Sequence, residues 1–92
     1  MKLSIVVPVY NEEKNLPELF EQITAAMQPL EMDWDVTFVD DGSRDASVAV
    51  IRQLHEQAPD RVRMVVFRRN YGQTAAISAG INESNGEIVI LM

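Results

Sequence analysis

The sequence predicts an α/β fold built on a parallel sheet, and three observations carry that reading. Short, nearly continuous apolar runs recur at 4–9, 34–40, 62–67 and 87–92. The segments between them carry apolar residues at helical spacing. Pro29, Pro59 and the pair Asn85-Gly86 punctuate the joints where a helix must stop and a strand begin. Buried apolar strands alternating with helices belong to a parallel sheet covered on both faces.

Ser4-Ile5-Val6-Val7-Pro8-Val9 is β-branched and reads as the first, buried strand. Pro8 has no N–H to donate, so pairing is expected to lapse there as the chain enters a loop. A helix follows over roughly Asn15 to Met27, with Leu16, Leu19, Phe20, Ile23 and Met27 on one face. Trp34 to Asp40 is the second strand. Asp45 is placed to cap a second helix that turns Val48, Ile51 and Leu54 inward and closes at Pro59. His55 falls on that helix's exposed side, where it reads as a surface residue.

Val62 to Phe67 is the third strand and Gln73 to Asn82 the third helix. Asn85-Gly86 turns the chain into a fourth strand, Glu87 to Met92. The order is βαβαβαβ. Right-handed crossovers then favour a Rossmann-like half with strand order 3-2-1-4.

Composition narrows the function. The chain has 92 residues, 47% hydrophobic and 24% charged, which describes one small globular core. With no cysteine there is no disulfide framework or thiolate metal site, and one histidine cannot build a multi-histidine site. No apolar run approaches the ~20 residues that span a bilayer. Met1-Lys2-Leu3-Ser4 runs straight into a strand without a signal-peptide cleavage region, so the expected location is cytoplasmic.

A net charge of −6 argues against nucleic acid as a partner. The basic residues are unevenly spread: residues 61–92 carry four arginines and two acids, against four bases and twelve acids before them. Arg68 and Arg69 would make a local positive patch for a small anion; a solvated strand edge is the equally ordinary reading.

Phe38-Val39-Asp40-Asp41-Gly42-Ser43 is the most informative stretch. Two carboxylates stand at a strand's carboxyl end, where ligands bind in open α/β sheets. A carboxylate there accepts N–H groups from a base or O–H groups from a ribose. The competing reading has both acids opening a turn and capping the next helix. For Asp40 the structural role, a turn or helix-end acceptor, is preferred.

Parallel strands send the segments after strands one, two and three to the same edge. They bring Tyr10, Glu12, Glu13, Asp40, Asp41, Arg68, Arg69, Asn70 and Gly72 there. Tyr10 can lie against a base, Asp41 can take the imide N–H of uracil or the paired N–H groups of guanine, and Gly72 lets backbone approach a ligand. A G-x-G-x-x-G loop and a Walker A sequence are both missing, so the first loop does not wrap a phosphate.

Three segments together resemble family 2 glycosyltransferases of the GT-A fold. They are Ser4-Ile5-Val6-Val7-Pro8-Val9-Tyr10-Asn11-Glu12-Glu13, Val39-Asp40-Asp41-Gly42-Ser43, and Arg69-Asn70-Tyr71-Gly72-Gln73 leading through Ala76 and Gly80. Followed by Asn85-Gly86-Glu87-Ile88-Val89, the last is most similar to the polyprenyl- and dolichyl-phosphate branch. The resemblance implies that residues 1–92 form the nucleotide-sugar-binding part of a transferase domain serving cell-envelope glycan synthesis. It implies a nucleoside pocket of Pro8, Tyr10, Glu12, Val39, Asp41, Asn70 and Gly72, with no catalytic or metal-ligating residue in this chain. The donor would be a UDP- or GDP-sugar and the acceptor a lipid phosphate, with the parent enzyme at the cytoplasmic face of the membrane. Mg2+ or Mn2+ would be held by an Asp-x-Asp motif that the family places after the fourth strand. The uncovered edge of that strand would favour a homo-oligomer. Against this stand a non-catalytic nucleotide-binding or assembly module and a nucleotidyltransferase. The latter wants a glycine-rich loop after strand one that the sequence lacks.

Overall fold

The computed structural model describes residues 2–31 and 33–84, and the backbone of 87–90. The elements are β1 (Lys2–Val9), α1 (Leu16–Met27), a 3-10 turn (Gln28–Leu30), β2 (Asp33–Asp40) and α2 (Ser47–Gln57), then β3 (Val62–Val66), α3 (Gln73–Glu83) and β4 (Glu87–Ile90). The sheet order is β3-β2-β1-β4 and each pairing is parallel, the arrangement the crossover rule predicts. The expected Asn85-Gly86 turn and the last two residues of the expected fourth strand lie outside the described residues.

Alternate side chains of each strand go to opposite faces, and the two faces are filled differently. On one, Ile5, Val7, Val9, Trp34, Val36, Phe38 and Val62 meet Leu16, Ile23 and Met27 of α1 and Ile51 and Leu54 of α2. Phe38 is fully enclosed, and the Phe20 ring lies 6.4 Å from Trp34 and 6.5 Å from Phe38. Each such side chain contributes about 1.5–3 kcal/mol by leaving water. On the other face α3 packs on β1 and β2 through Ala76 and Gly80, both buried. A Cβ on Gly80 would overlap Val6 Cγ1 and sit 3.2 Å from Val39 Cγ2. This glycine is there for close approach.

Local details refine the sequence reading. β1 pairs with β2 through Pro8 to the Val9↔Asp40 position, so pairing does not lapse at the proline. Val9 C=O accepts from Asp41 N at 2.8 Å, so the polar groups of Val9 face β2. Backbone direction alternates along a strand, which turns the missing donor of Pro8 to the other side. The described β1–β4 ladder has already stopped there, at Val6. α2 begins at Ser47 with Ala46 in the cap position, one step later than an Asp45 cap requires. Asp45 still satisfies the helix start, because its Oδ1 accepts from Ser47 N at 2.9 Å. His55 is exposed as expected, yet its Nδ1 donates to Val62 C=O at 2.6 Å and ties α2 to β3.

Two of the four clustered arginines serve the sheet end opposite the carboxyl edge. Arg61 stacks 4.7 Å above the Trp34 ring and donates to Trp34 C=O at 3.1 Å. Arg63 Nε and Lys2 Nζ flank the buried Asp35 carboxylate at 3.4 and 3.3 Å. The two cations thus face a carboxylate that is only 1% exposed.

Candidate functional site

Three loops leave the carboxyl ends of β1, β2 and β3: loop 1 (10–15), loop 2 (41–46) and loop 3 (67–72). They meet at a cleft of about 300 Å³ lined by Pro8, Val9, Tyr10, Glu12, Asp41 and Gln73. A larger groove of about 720 Å³ runs between α1 and α2, lined by Pro17, Phe20, Thr24, Gln28, Val50 and Gln57 among others. That groove gathers no convergent charged groups. The strand-end cleft, with a carboxylate, a ring and an amide together, is the better candidate despite its size.

Asp41 is the hub of the cleft. It is only 4% exposed, yet it lines the cleft. Its Oδ1 accepts from Tyr71 N at 2.7 Å and Gly72 N at 3.3 Å. Its Oδ2 accepts from Gly72 N at 3.0 Å and Asn70 Nδ2 at 3.1 Å, and the same amide reaches Asp41 C=O at 3.2 Å. A carboxylate offers about four acceptor positions, and loop 3 brings three donors to them, the Gly72 N–H being shared between the two oxygens. The sequence placed Asp41 and loop 3 on one edge but carried no sign that they bind each other.

Glycines permit this closure. Gly42 has φ 74°, and a Cβ there would run into the Arg69–Asn70 peptide, within 2.5 Å of Asn70 N. Gly72 has φ 103° with open space where a side chain would stand. Its need is conformational, and the space before it stays free. Tyr71 is 55% exposed, edge-on to Phe67 at 5.5 Å, with the Arg69 guanidinium 5.0 Å over its ring.

Loop 1 is tied to loop 2 with equal density. Asn11 N donates to Ser43 Oγ at 2.9 Å, Glu12 N to Ser47 Oγ at 2.8 Å and Glu13 N to Asp45 Oδ2 at 3.3 Å. Arg44 N returns a bond to Asn11 Oδ1 at 2.8 Å. The Ser47 hydroxyl in turn donates to Asp45 Oδ1 at 2.6 Å. That hydroxyl, with the N–H groups of Ser47 and Glu13, holds the Asp45 carboxyl below its ordinary 3.8 while desolvation opposes. Asn11, Ser43, Ser47 and Gln73 were not singled out from sequence. Short polar residues in loops are a known signal for such bonds, but it does not say which partner they find.

The remaining expected site residues sort as follows. Pro8, Tyr10 and Glu12 line the cleft with Asp41, and Tyr10 is 43% exposed. Glu12 Oε2 accepts from Asn15 Nδ2 at 2.6 Å. Asn70 and Gly72 stand behind Asp41 as its partners. Val39 is fully buried under α3 beside Gly80, and it supports the site without lining the cleft. Asp40 takes the structural role expected of it: it is buried and its Oδ2 accepts from Ser43 N at 2.9 Å.

The family model for glycosyl transferase family 2 matches residues 4–92. The chain belongs to that family. Among curated relatives, an undecaprenyl-phosphate 4-deoxy-4-formamido-L-arabinose transferase of Photorhabdus laumondii is 42% identical over 91 residues. The match takes in 99% of this chain and 28% of the relative. The enzyme of the same name from Pseudomonas fluorescens is 44% identical over 90 residues, 98% of this chain and 26% of that one. This family 2 chain therefore spans little more than a quarter of the relatives it matches. Among solved structures it is similar to the mannosyltransferase PcManGT of Pyrobaculum calidifontis in complex with GDP-Man and Mn2+. The TM-score is 0.77 at 25% identity over 94% of this chain and 25% of that one. It also matches S. aureus TarS 1-349 with a TM-score of 0.81 at 23% identity, over 99% of this chain and 27% of that one, a likeness of fold. The Rossmann-like α/β class and the family 2 resemblance read from the sequence both hold.

Proposed function

We propose that this chain is the nucleoside-recognition part of a glycosyltransferase that moves a sugar from a nucleoside-diphosphate donor to a polyprenyl phosphate. One observation carries the reading: the strand-end cleft unites an exposed Tyr10 ring, Pro8, Glu12 and the Asp41 carboxylate. In this reading Tyr10 lies along the base and Asp41 accepts its N–H. Asn70, the one side-chain donor on Asp41 among the described residues, gives way to the base while the Tyr71 and Gly72 backbone bonds keep the carboxylate aimed. The relatives, named as undecaprenyl-phosphate transferases, support the acceptor class. The neighbour held with GDP-Man supports the donor class.

Departure of a diphosphate calls for a cation, and the neighbouring mannosyltransferase is in complex with Mn2+. Among the described residues no three His, Asp or Glu side chains converge as a ligand set. These residues do not fit the metal, and we assign its ligands to residues beyond them. Domain 1–92 is then one part of a larger transferase, working at the cytoplasmic face of a membrane in cell-envelope glycan synthesis. Among the described residues no helix is long and apolar enough to cross a membrane.

Titration calorimetry with UDP and GDP on the natural polypeptide that carries residues 1–92 tests the pocket. Asp41→Asn should weaken the preferred nucleotide by about tenfold or more, because a charge-assisted acceptor becomes a neutral amide facing N–H groups. Equal affinity in wild type and variant would sink the assignment.

A further inference from the structure

We infer that Asn11, Ser43, Asp45 and Ser47 form a clamp that positions Tyr10 and Glu12 for the nucleoside, an inference that rests on the pocket reading above. The N–H groups of Asn11, Glu12 and Glu13 follow one another in the chain. Each is accepted by a side-chain oxygen from the short stretch 43–47. Asn11 has φ 54° and is the turning point of the loop. Successive N–H groups about a left-handed residue form a concavity suited to an anion. Here the chain supplies its own anion, Asp45 Oδ2, to the third of them.

The bonds form a chain of dependence. Ionised Asp45 orients the Ser47 hydroxyl as a donor, which leaves that oxygen's lone pairs to receive Glu12 N. Asn11 works in both directions, donating through its backbone to Ser43 and accepting through its side chain from Arg44. Both cleft residues of loop 1 are held within this lattice: Glu12 through its own N–H, Tyr10 through its neighbour Asn11. Asn11, Ser43 and Ser47 do not line the cleft themselves, so they act through Tyr10 and Glu12 and are positioning residues.

The test uses Ser47→Ala, Asn11→Gly and Asn11→Asp in the natural polypeptide that carries residues 1–92. Asn11→Gly keeps the left-handed backbone and deletes the acceptor, while Asn11→Asp keeps both. Amide hydrogen exchange at residues 11–13 reads the clamp, and UDP and GDP titrations read its effect. Ser47→Ala and Asn11→Gly should speed exchange at those amides and weaken nucleotide by about five- to tenfold. Asn11→Asp should restore both, which a change in overall stability would not do. Unchanged exchange in Ser47→Ala and Asn11→Gly overturns the clamp. Nucleotide affinity unchanged while exchange quickens overturns its positioning role. If the wild type binds neither nucleotide the pocket reading fails instead, and exchange alone then decides whether the clamp exists.

Discussion

Asp45 illustrates how much a single loop residue carries. Its carboxylate touches the start of α2 and the N–H of Glu13 in loop 1. Its pKa is lowered in the folded chain, chiefly by the Ser47 hydroxyl, so it binds a proton less readily than in the unfolded chain. The stability it contributes is therefore complete above its ordinary 3.8 and is lost as pH falls through the lower folded value. Asp45→Asn should be less stable than wild type at neutral pH, and the gap should narrow below about pH 4. Urea midpoints measured from pH 7 down to pH 3 check this; a gap that does not change with pH would refute it.

At the scale of elements, α3 meets the sheet through Gly80 against Val6 and Val39. Gly80→Ala gains up to about 1 kcal/mol of helix propensity. It also drives a methyl into Val6, a buried and rotamerically stiff residue, at a cost of about 1–3 kcal/mol. The clash should win, and the urea midpoint should fall. A higher midpoint would show that α3 shifts freely. The elements were legible in the sequence because their signals are periodic and local: apolar runs for strands, Leu16 to Met27 for a helix face, and crossover handedness for the order. What the sequence does not carry is tertiary. Nothing local in Val39 separates a core side chain from a cleft wall, and nothing local in Asp41 announces that loop 3 will fold over it. Pro8 was misjudged because the side to which its missing donor points depends on where a neighbouring ladder stops.

For the whole molecule, four of the described carboxylates at the strand ends are drawn into bonds within the chain. Asp40 and Asp41 serve turns and loop 3, Asp45 the clamp, and Glu12 holds Asn15. Among the described residues no three acids gather to hold a diphosphate-bound cation. With the chain spanning 28% of a 42% identical relative, residues 1–92 alone should release no sugar from UDP- or GDP-sugars with Mn2+ present. Metal-dependent turnover by the 92-residue chain would show that these residues do hold the metal.

On the proposed pocket reading, the bonded carboxylate of Asp41 would also select among bases. With Asn70 already in place, a newcomer gains only by being a better donor than the amide it displaces. Uracil presents a ring N–H at its pairing edge, and guanine a ring N–H beside an amino group. Cytosine and adenine present a bare ring nitrogen there, lone pair against lone pair, and keep only the neighbouring amino group to offset the lost Asn70 bond. On that reading, rejection of the wrong base, more than grip on the right one, is what an acceptor already bonded within the chain would supply.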